Sequence, residues 1–311
     1  MKTISILVPC FNEEQALPIF LNKIKIVTEN INYRWQILLV DDGSTDSTLS
    51  IMELAHQQDS HIDYIELSRN FGKEAAMLAG LDYVNGDAVI IMDADLQHPI
   101  SVIPQMIEQW GLGYDDVFGR RIIRGKETWL RKKMTQIYYH LLQQSTTMNM
   151  YPNVGDFRLL DRSCIEALRS MRESNRYTKG LYAYIGFRKQ HVDYVQEERV
   201  AGTSKWNFWT LTKFALDGLF ASSIKPLQYA TKLGFLVSFI AFIYLIYVFI
   251  KALIWGDPVQ GFPTLIIVIL LLGGLQLCSI GIMGEYIGRT FHESKNRPTY
   301  FIRTYNGQKQ K

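Results

Sequence analysis

Cysteine is scarce in this 311-residue chain: Cys10, Cys164 and Cys278 stand far apart and form no Cys-x-x-Cys pair. That spacing excludes a disulfide framework or zinc ribbon and reads as reduced, small apolar side chains. An excess of one charge is also missing. The formal net charge of +3 provides no basic field of the kind that binds nucleic acid. No Gly-x-Gly-x-x-Gly follows the first apolar strand, so a dinucleotide fold of that type has no support. The run from Gly119 to Lys126 is only superficially a phosphate loop. Its glycines are one residue too far apart, and Glu127 stands where Ser or Thr is needed. The start carries no cleavable signal pattern, because the apolar run after Lys2 ends at Pro9. The soluble portion is therefore expected to stay in the cytosol.

What the chain does have is a set of apolar strands with polar ends. Ile4-Ser5-Ile6-Leu7-Val8 runs into Pro9-Cys10-Phe11-Asn12-Glu13. Trp35-Gln36-Ile37-Leu38-Leu39-Val40 runs into Asp41-Asp42-Gly43-Ser44. Val89-Ile90-Ile91-Met92 runs into Asp93-Ala94-Asp95-Leu96-Gln97. Asp-x-Asp at a strand end can hold a hard divalent cation through oxygen, and the cation can grip a diphosphate. Helical periodicity covers Leu17 to Thr28, Asp46 to Gln57, Lys73 to Val84 and Pro104 to Trp110, with strands at Ile62 to Leu67 and Asp116 to Gly119. Ser44-Thr45-Asp46-Ser47 is a cap cluster for the second helix. Alternating strand and helix predict an α/β fold with a mostly parallel, Rossmann-like sheet. Ligands of such sheets sit beyond the carboxyl ends of the strands, where these polar loops fall.

The last third is different. Leu233 to Ile254 is apolar apart from Lys251, and Phe262 to Met283 carries no charge. Each is about the 20 residues that cross a bilayer. The short connection from Trp255 to Gly261 has no Lys or Arg, whereas Lys213, Lys225 and Lys232 precede the pair and Arg289, Lys295, Arg297 and Arg303 follow it. The positive-inside rule predicts a transmembrane hairpin with both ends in the cytoplasm. Gly273-Gly274, Gly281 and Gly284-x-x-x-Gly288 allow close helix approach, within the hairpin or with a second copy of the chain. Trp129 to Leu142 and Trp206 to Phe220 are read as interfacial amphipathic helices.

Pro9-Cys10-Phe11-Asn12-Glu13, Val40-Asp41-Asp42-Gly43-Ser44 and Asp93-Ala94-Asp95-Leu96-Gln97, in that order, resemble family 2 glycosyltransferases of the GT-A fold. Ser68-Arg69-Asn70-Phe71-Gly72-Lys73-Glu74, Gly155-Asp156-Phe157-Arg158-Leu159, Ser204-Lys205-Trp206-Asn207 and the hairpin narrow the resemblance to polyprenyl-phosphate glycosyltransferases. These include dolichol-phosphate mannose synthases and bactoprenol glucosyltransferases. The resemblance implies that Pro9, Phe11, Glu13, Asp41, Asp42 and Asp93 bind the nucleotide-sugar donor. Phe11 stands where the family usually has Tyr, which keeps ring stacking and loses a hydroxyl contact. It implies that Asp93, Asp95 and Gln97 hold Mg2+ or Mn2+ and the diphosphate, with Asp95 and Gln97 as the metal ligands, and that Asp156, Arg158 and Asp95 are the catalytic set, with Asp156 and Arg158 near the acceptor phosphate. Arg120, Arg121, Arg131 and Lys205 would hold acceptor or phosphate. From the residues alone, Asp41 could instead cap the helix near Thr45, Asp156 could pair with Arg158, and Arg121 and Arg131 could be solvated.

The implied reaction is inverting transfer of a hexose, glucose from UDP-glucose in the first place, to undecaprenyl phosphate. Relatives handle N-acetylglucosamine, mannose and amino-arabinose donors. A processive synthase would need more spanning helices and a Gln-x-x-Arg-Trp motif; a silent membrane scaffold would not need the Asp-x-Asp. The expected organisation is a cytosolic GT-A catalytic domain over 1–200, an interfacial region over 201–228, two transmembrane helices within 229–290 and a cytosolic tail over 291–311. The expected location is the inner membrane, multi-pass, with both termini cytoplasmic. Membrane lipid and a separate flippase are the implied partners.

Overall fold

The computed structural model describes residues 1–122, 154–174, 176–196, 225–255 and 261–309. The expected interfacial helices, with Arg131 and Lys205, lie outside these residues. The chain divides into two compact units, Met1–Ala215 with Arg297–Lys311, and Leu216–Asn296.

The first unit begins with β1 (Thr3–Cys10), α1 (Leu17–Asn30), β2 (Arg34–Asp41), α2 (Thr48–Gln58), β3 (Ile62–Leu67), α3 (Lys73–Tyr83) and β4 (Ala88–Ile91). A 3-10 turn at Ile100–Val102 leads into α4 (Ile103–Gly111) and β5 (Asp116–Arg121). Further on are β6 (Val154–Asp161), α5 (Arg162–Ser170), α6 (Thr178–Tyr184) and β7 (Lys189–Tyr194). The second unit holds α7 (Lys225–Trp255) and α8 (Phe262–Ser294), and the chain then returns as β8 (Ile302–Tyr305) and β9 (Gln308–Lys309).

The described strands form one nine-stranded sheet in the order β7-β5-β6-β4-β1-β2-β3-β8-β9. Its centre, β4-β1-β2-β3, is parallel, and β6 enters antiparallel between β4 and β5. The central strands are apolar at nearly every position because both faces are covered. Ile4, Ile6, Val8, Ile37, Leu39 and Ile90 pack on one side with Phe20 and Ile24 of α1 and Met106 and Trp110 of α4. Leu7, Leu38, Val40, Val89 and Ile91 pack on the other with Ala76, Met77 and Ala79 of α3 and Ile165 and Leu168 of α5. Each such burial contributes roughly 1.5–3 kcal/mol. A one-residue slip would turn every side chain to the wrong layer, so the register is strongly specified.

Small residues let α3 lie close on the sheet. A Cβ on Gly80 would come within 2.0 Å of Leu7 Cδ1. That seating fixes where α3 begins, and its first residue is Lys73. The segment expected as a tail is part of the sheet: β8 pairs antiparallel with β3, Ile65 opposite Tyr305 and Glu66 opposite Thr304. With Arg303 and Thr304 in its short span it has no apolar run to announce it; the open edge of β3 makes it a strand.

In the second unit α7 and α8 pack against each other. Among the described residues one stretch, Leu271–Ser294, is long and apolar enough to cross a membrane. Leu277, Ile280, Ile287 and Phe291 are exposed on it. A contiguous apolar surface of this kind marks a lipid or protein contact.

Candidate active site

The loops at the carboxyl edge of the sheet are tied to one another. Asn12, after β1, has φ 56° and accepts from Thr45 N at 2.8 Å through Oδ1. Its own N–H donates to Ser44 Oγ at 3.0 Å, and Glu13 N donates to Thr48 Oγ1 at 2.8 Å. Gly43, after β2, has φ +70°, and a Cβ there would lie 2.6 Å from the Arg69 backbone. A glycine is needed on both counts. Pro9 sits in β1 opposite Val40, and Phe11 and Glu13 are half-buried just beyond.

Asp41 and Asp42 are 1% and 3% exposed, and burial raises both carboxyls. Both oxygens of Asp41 accept from Ser44 N at 3.2 Å. The start of α2 is met by Asp46 instead, whose Oδ1 accepts from Thr48 N at 3.0 Å. Asp42 accepts from Phe71 N at 2.7 Å and Gly72 N at 2.9 Å. These two carboxylates therefore shape the edge by holding backbone.

The loop after β4 contains Leu96 with φ 60°, a conformation rare for a branched side chain. Leu96 is 1% exposed in the core, which holds the strained turn in place. Asp95 Oδ1 accepts from Gln97 N at 3.1 Å across it. His98 stacks on Phe157 at 4.8 Å, and burial lowers its pKa, keeping the ring neutral at neutral pH.

β4 and β6 are antiparallel with Ile91 opposite Arg158, so Asp93 and Asp156 follow on the same stretch of edge. Lys73 joins them. Its Nζ lies 2.6 Å from Asp93 Oδ1 and 3.2 Å from Asp156 Oδ2. Burial opposes the ammonium, but the two carboxylates outweigh it and hold Lys73 protonated. Burial likewise raises Asp156, but Lys73, Lys179 and Arg158 outweigh it and bring Asp156 down to about 2. Asp156 Oδ1 is buried with no hydrogen-bond partner among the described residues. Beside it, Glu74 accepts from Thr178 N and Oγ1.

Arg158 was expected at the acceptor phosphate, or paired with Asp156. Its side chain is 5% exposed, and its guanidinium holds Asp116 at 2.9 and 3.0 Å, donates to Gly155 O at 3.2 Å and lies 3.5 Å over the Tyr182 ring. Those contacts commit it to the interior, and Lys73 takes the place beside Asp156. Arg120 forms an exposed bidentate pair with Asp193 at 2.6 and 2.8 Å. Arg121 Nε is buried without a partner among the described residues. Lys73 lies inside the Ser68–Glu74 motif without an expected role of its own; its only signal in the sequence is its place at the start of a helix, after Gly72.

Among the described residues no three His, Cys, Asp or Glu side chains converge as a metal cage. Mg2+ and Mn2+ at phosphate sites usually take one or two carboxylates, substrate phosphate and water. With Asp93 neutralised by Lys73, Asp95 and the Gln97 amide oxygen fit that smaller donor set.

A doubly covered α/β sheet with a parallel centre, an antiparallel strand beside β4 and an Asp-x-Asp loop at the edge defines a GT-A glycosyltransferase. Residues 5–169 match Glycosyl transferase family 2, and residues 225–290 match the GtrB C-terminal hairpin. The chain belongs to glycosyl transferase family 2, in its bactoprenol glucosyl transferase branch. The bactoprenol glucosyl transferase of Shigella phage SfV is 43% identical, over 96% of this chain and 98% of that protein. The prophage bactoprenol glucosyl transferase homologue of Escherichia coli K12 is 42% identical, over 96% and 98%. A solved glucosyl-3-phosphoglycerate synthase from Mycobacterium tuberculosis, in complex with Mn2+, UDP-glucose and phosphoglyceric acid, has a TM-score of 0.51 at 17% identity, over 70% of this chain and 78% of that one. That likeness concerns the fold alone. The hairpin domain and the exposed apolar stretch of α8 make the protein membrane-associated.

Proposed function

We propose that this protein transfers glucose from UDP-glucose to undecaprenyl phosphate at the cytoplasmic face of the membrane, inverting the anomeric centre. The observation that carries the reading is the Lys73 ammonium shared by Asp93 of the Asp-Ala-Asp loop and Asp156 of β6. It joins the donor side of the edge to the acceptor side. The choice of glucose and carrier rests on the 43% identity to a bactoprenol glucosyl transferase.

Phe11 stacks on the nucleobase, and Pro9 and Glu13 complete that wall, which Asp41 and Asp42 brace through the turns. Asp93 meets the sugar-diphosphate end. Asp95 and Gln97 would hold Mg2+ or Mn2+, which would supply positive charge to the leaving diphosphate. The acceptor is a phosphate monoester with a second pKa of about 6, so it arrives largely as a dianion and is already nucleophilic. Its oxygen bonds to C1 while the bond from C1 to the β-phosphate oxygen breaks, and the electron pair leaves with UDP. Asp156, with its carboxyl held near 2, is an orienting group and a poor proton acceptor. Lys73 offsets one of the two negative charges of the Asp93–Asp156 pair, which weakens their repulsion of an approaching dianion. Arg120 can turn to phosphate at small cost, since an ion pair in full contact with water contributes little. Arg121, Arg131 and Lys205 complete the proposed phosphate-binding set.

Positive residues flank the hairpin on both sides, and the segments before and after it belong to one compact unit. Both facts support two spans with both ends in the cytoplasm. The test is transfer from a panel of labelled UDP- and GDP-sugars to undecaprenyl phosphate in membranes, with Mg2+, Mn2+ or EDTA. The expected result is metal-dependent lipid labelling from UDP-glucose. Labelling from another donor alone overturns the glucose assignment, and equal labelling in EDTA overturns the metal.

A further inference from the structure

The chain returning from the hairpin rejoins the first unit beside the loop that delivers Lys73. Just ahead of β8, Phe301 O accepts the Ser68 backbone N–H at 2.9 Å. The Phe301 ring meets the Phe71 ring at 6.2 Å, and the Arg69 guanidinium lies 4.0 Å over the same Phe71 ring. Ser68 to Gly72 is the loop between β3 and α3, and α3 begins at Lys73. The far end of α3 is held by the same segment. Tyr300 donates to Asp82, which also pairs with Arg172, and the Tyr305 ring lies 5.1 Å from Tyr83. Phe301 is 55% exposed, so its ring serves the loop more than the core.

We infer that Tyr300–Tyr305 is a clasp that sets the position of Lys73 between Asp93 and Asp156, with Phe301 as the positioning residue acting through Phe71. A lysine stem has four carbons of free rotation, so the place of its ammonium depends on where its backbone is anchored. Asp42 fixes that backbone from below through two amides; Phe301 and Ser68 fix the approach to it. A displacement of about 1 Å in a positioned group can cost on the order of 10²-fold in rate.

The inference rests on the proposed transfer in that Lys73 is judged by turnover. The experiment compares full-length wild type, Phe301→Ala and Phe301→Tyr in membranes. It reads hydrogen exchange of the peptide covering residues 68–73, kcat and KM for UDP-glucose, and the melting temperature. In Phe301→Ala, exchange over 68–73 should rise about tenfold while the central strands stay protected. There kcat should fall about tenfold with donor KM changed less than about threefold. Phe301→Tyr should restore both at an unchanged melting temperature. Unchanged exchange and kcat in a folded Phe301→Ala protein overturn the clasp. So does a loss that tracks a fall in melting temperature in both variants. If wild type labels lipid from no donor, the transfer reading fails, and the exchange comparison alone decides whether the clasp holds the loop.

Discussion

At Asp156 two effects oppose each other, and the pH response follows from which wins. Burial raises the carboxyl, and Lys73, Lys179 and Arg158 lower it further, from 3.8 to about 2. Its ionised form therefore stabilises the fold above about pH 4, and that contribution is lost as pH falls towards 2. No titration of Asp156 belongs to the working range. The acid limb of turnover should follow the acceptor phosphate near pH 6. In Asp156→Asn that limb should stay in place while kcat falls about 10²-fold and UDP binding changes little, as for an interaction made in the transition state. A shifted limb in the pH–rate profile would make Asp156 a base and overturn the orienting role. Lys73→Met should lose turnover too, because it leaves two neighbouring carboxylates facing a dianion. Asp116→Asn is a different case. It breaks a buried pair with Arg158, and thermal unfolding should show a loss of about 3–5 kcal/mol. The sequence displayed the carboxylates as polar ends of apolar strands. It did not display their partners. Asp42 is satisfied by the amides of Phe71 and Gly72, and Arg158 by an aspartate 42 positions away, and neither pairing leaves a mark in residue spacing.

Among the elements, the central strands and their helices were legible because each carries a full period of apolar residues. β3 spans Ile62–Leu67 as expected, and α3 starts at Lys73 as expected. β6, at Val154–Asp161, was visible only as a motif, and β8 was not visible at all. Both depend on a neighbour's free edge more than on their own composition, as strand propensity generally does. This bears on any truncation. Cutting the chain at Lys225 removes β8 and β9 with the hairpin and leaves β3 as an open edge. Such a protein should aggregate or melt earlier, measured by light scattering on heating. Replacing 225–294 with a short soluble linker while keeping 297–309 should give a folded unit that binds UDP and transfers poorly to long-chain acceptors. Wild-type rates on those acceptors would show that the hairpin has no part in delivery.

At the scale of the whole molecule, a charge-balanced catalytic unit is joined at two points of its chain to an apolar hairpin. Water suits one and lipid the other. A short-chain, water-soluble acceptor phosphate should narrow the rate difference between the intact protein and the linker form, since headgroup chemistry is the same for both. The return of the chain to β3 also has a consequence for biogenesis. A ribosome makes β3 long before β8, and everything in the hairpin lies between them. During that interval the nascent domain carries an unpaired strand edge, open to chaperones and to wrong partners. β3 can gain its β8 partner only after both apolar helices have been synthesised, so the last strand pairing of the domain is tied to completion of the hairpin.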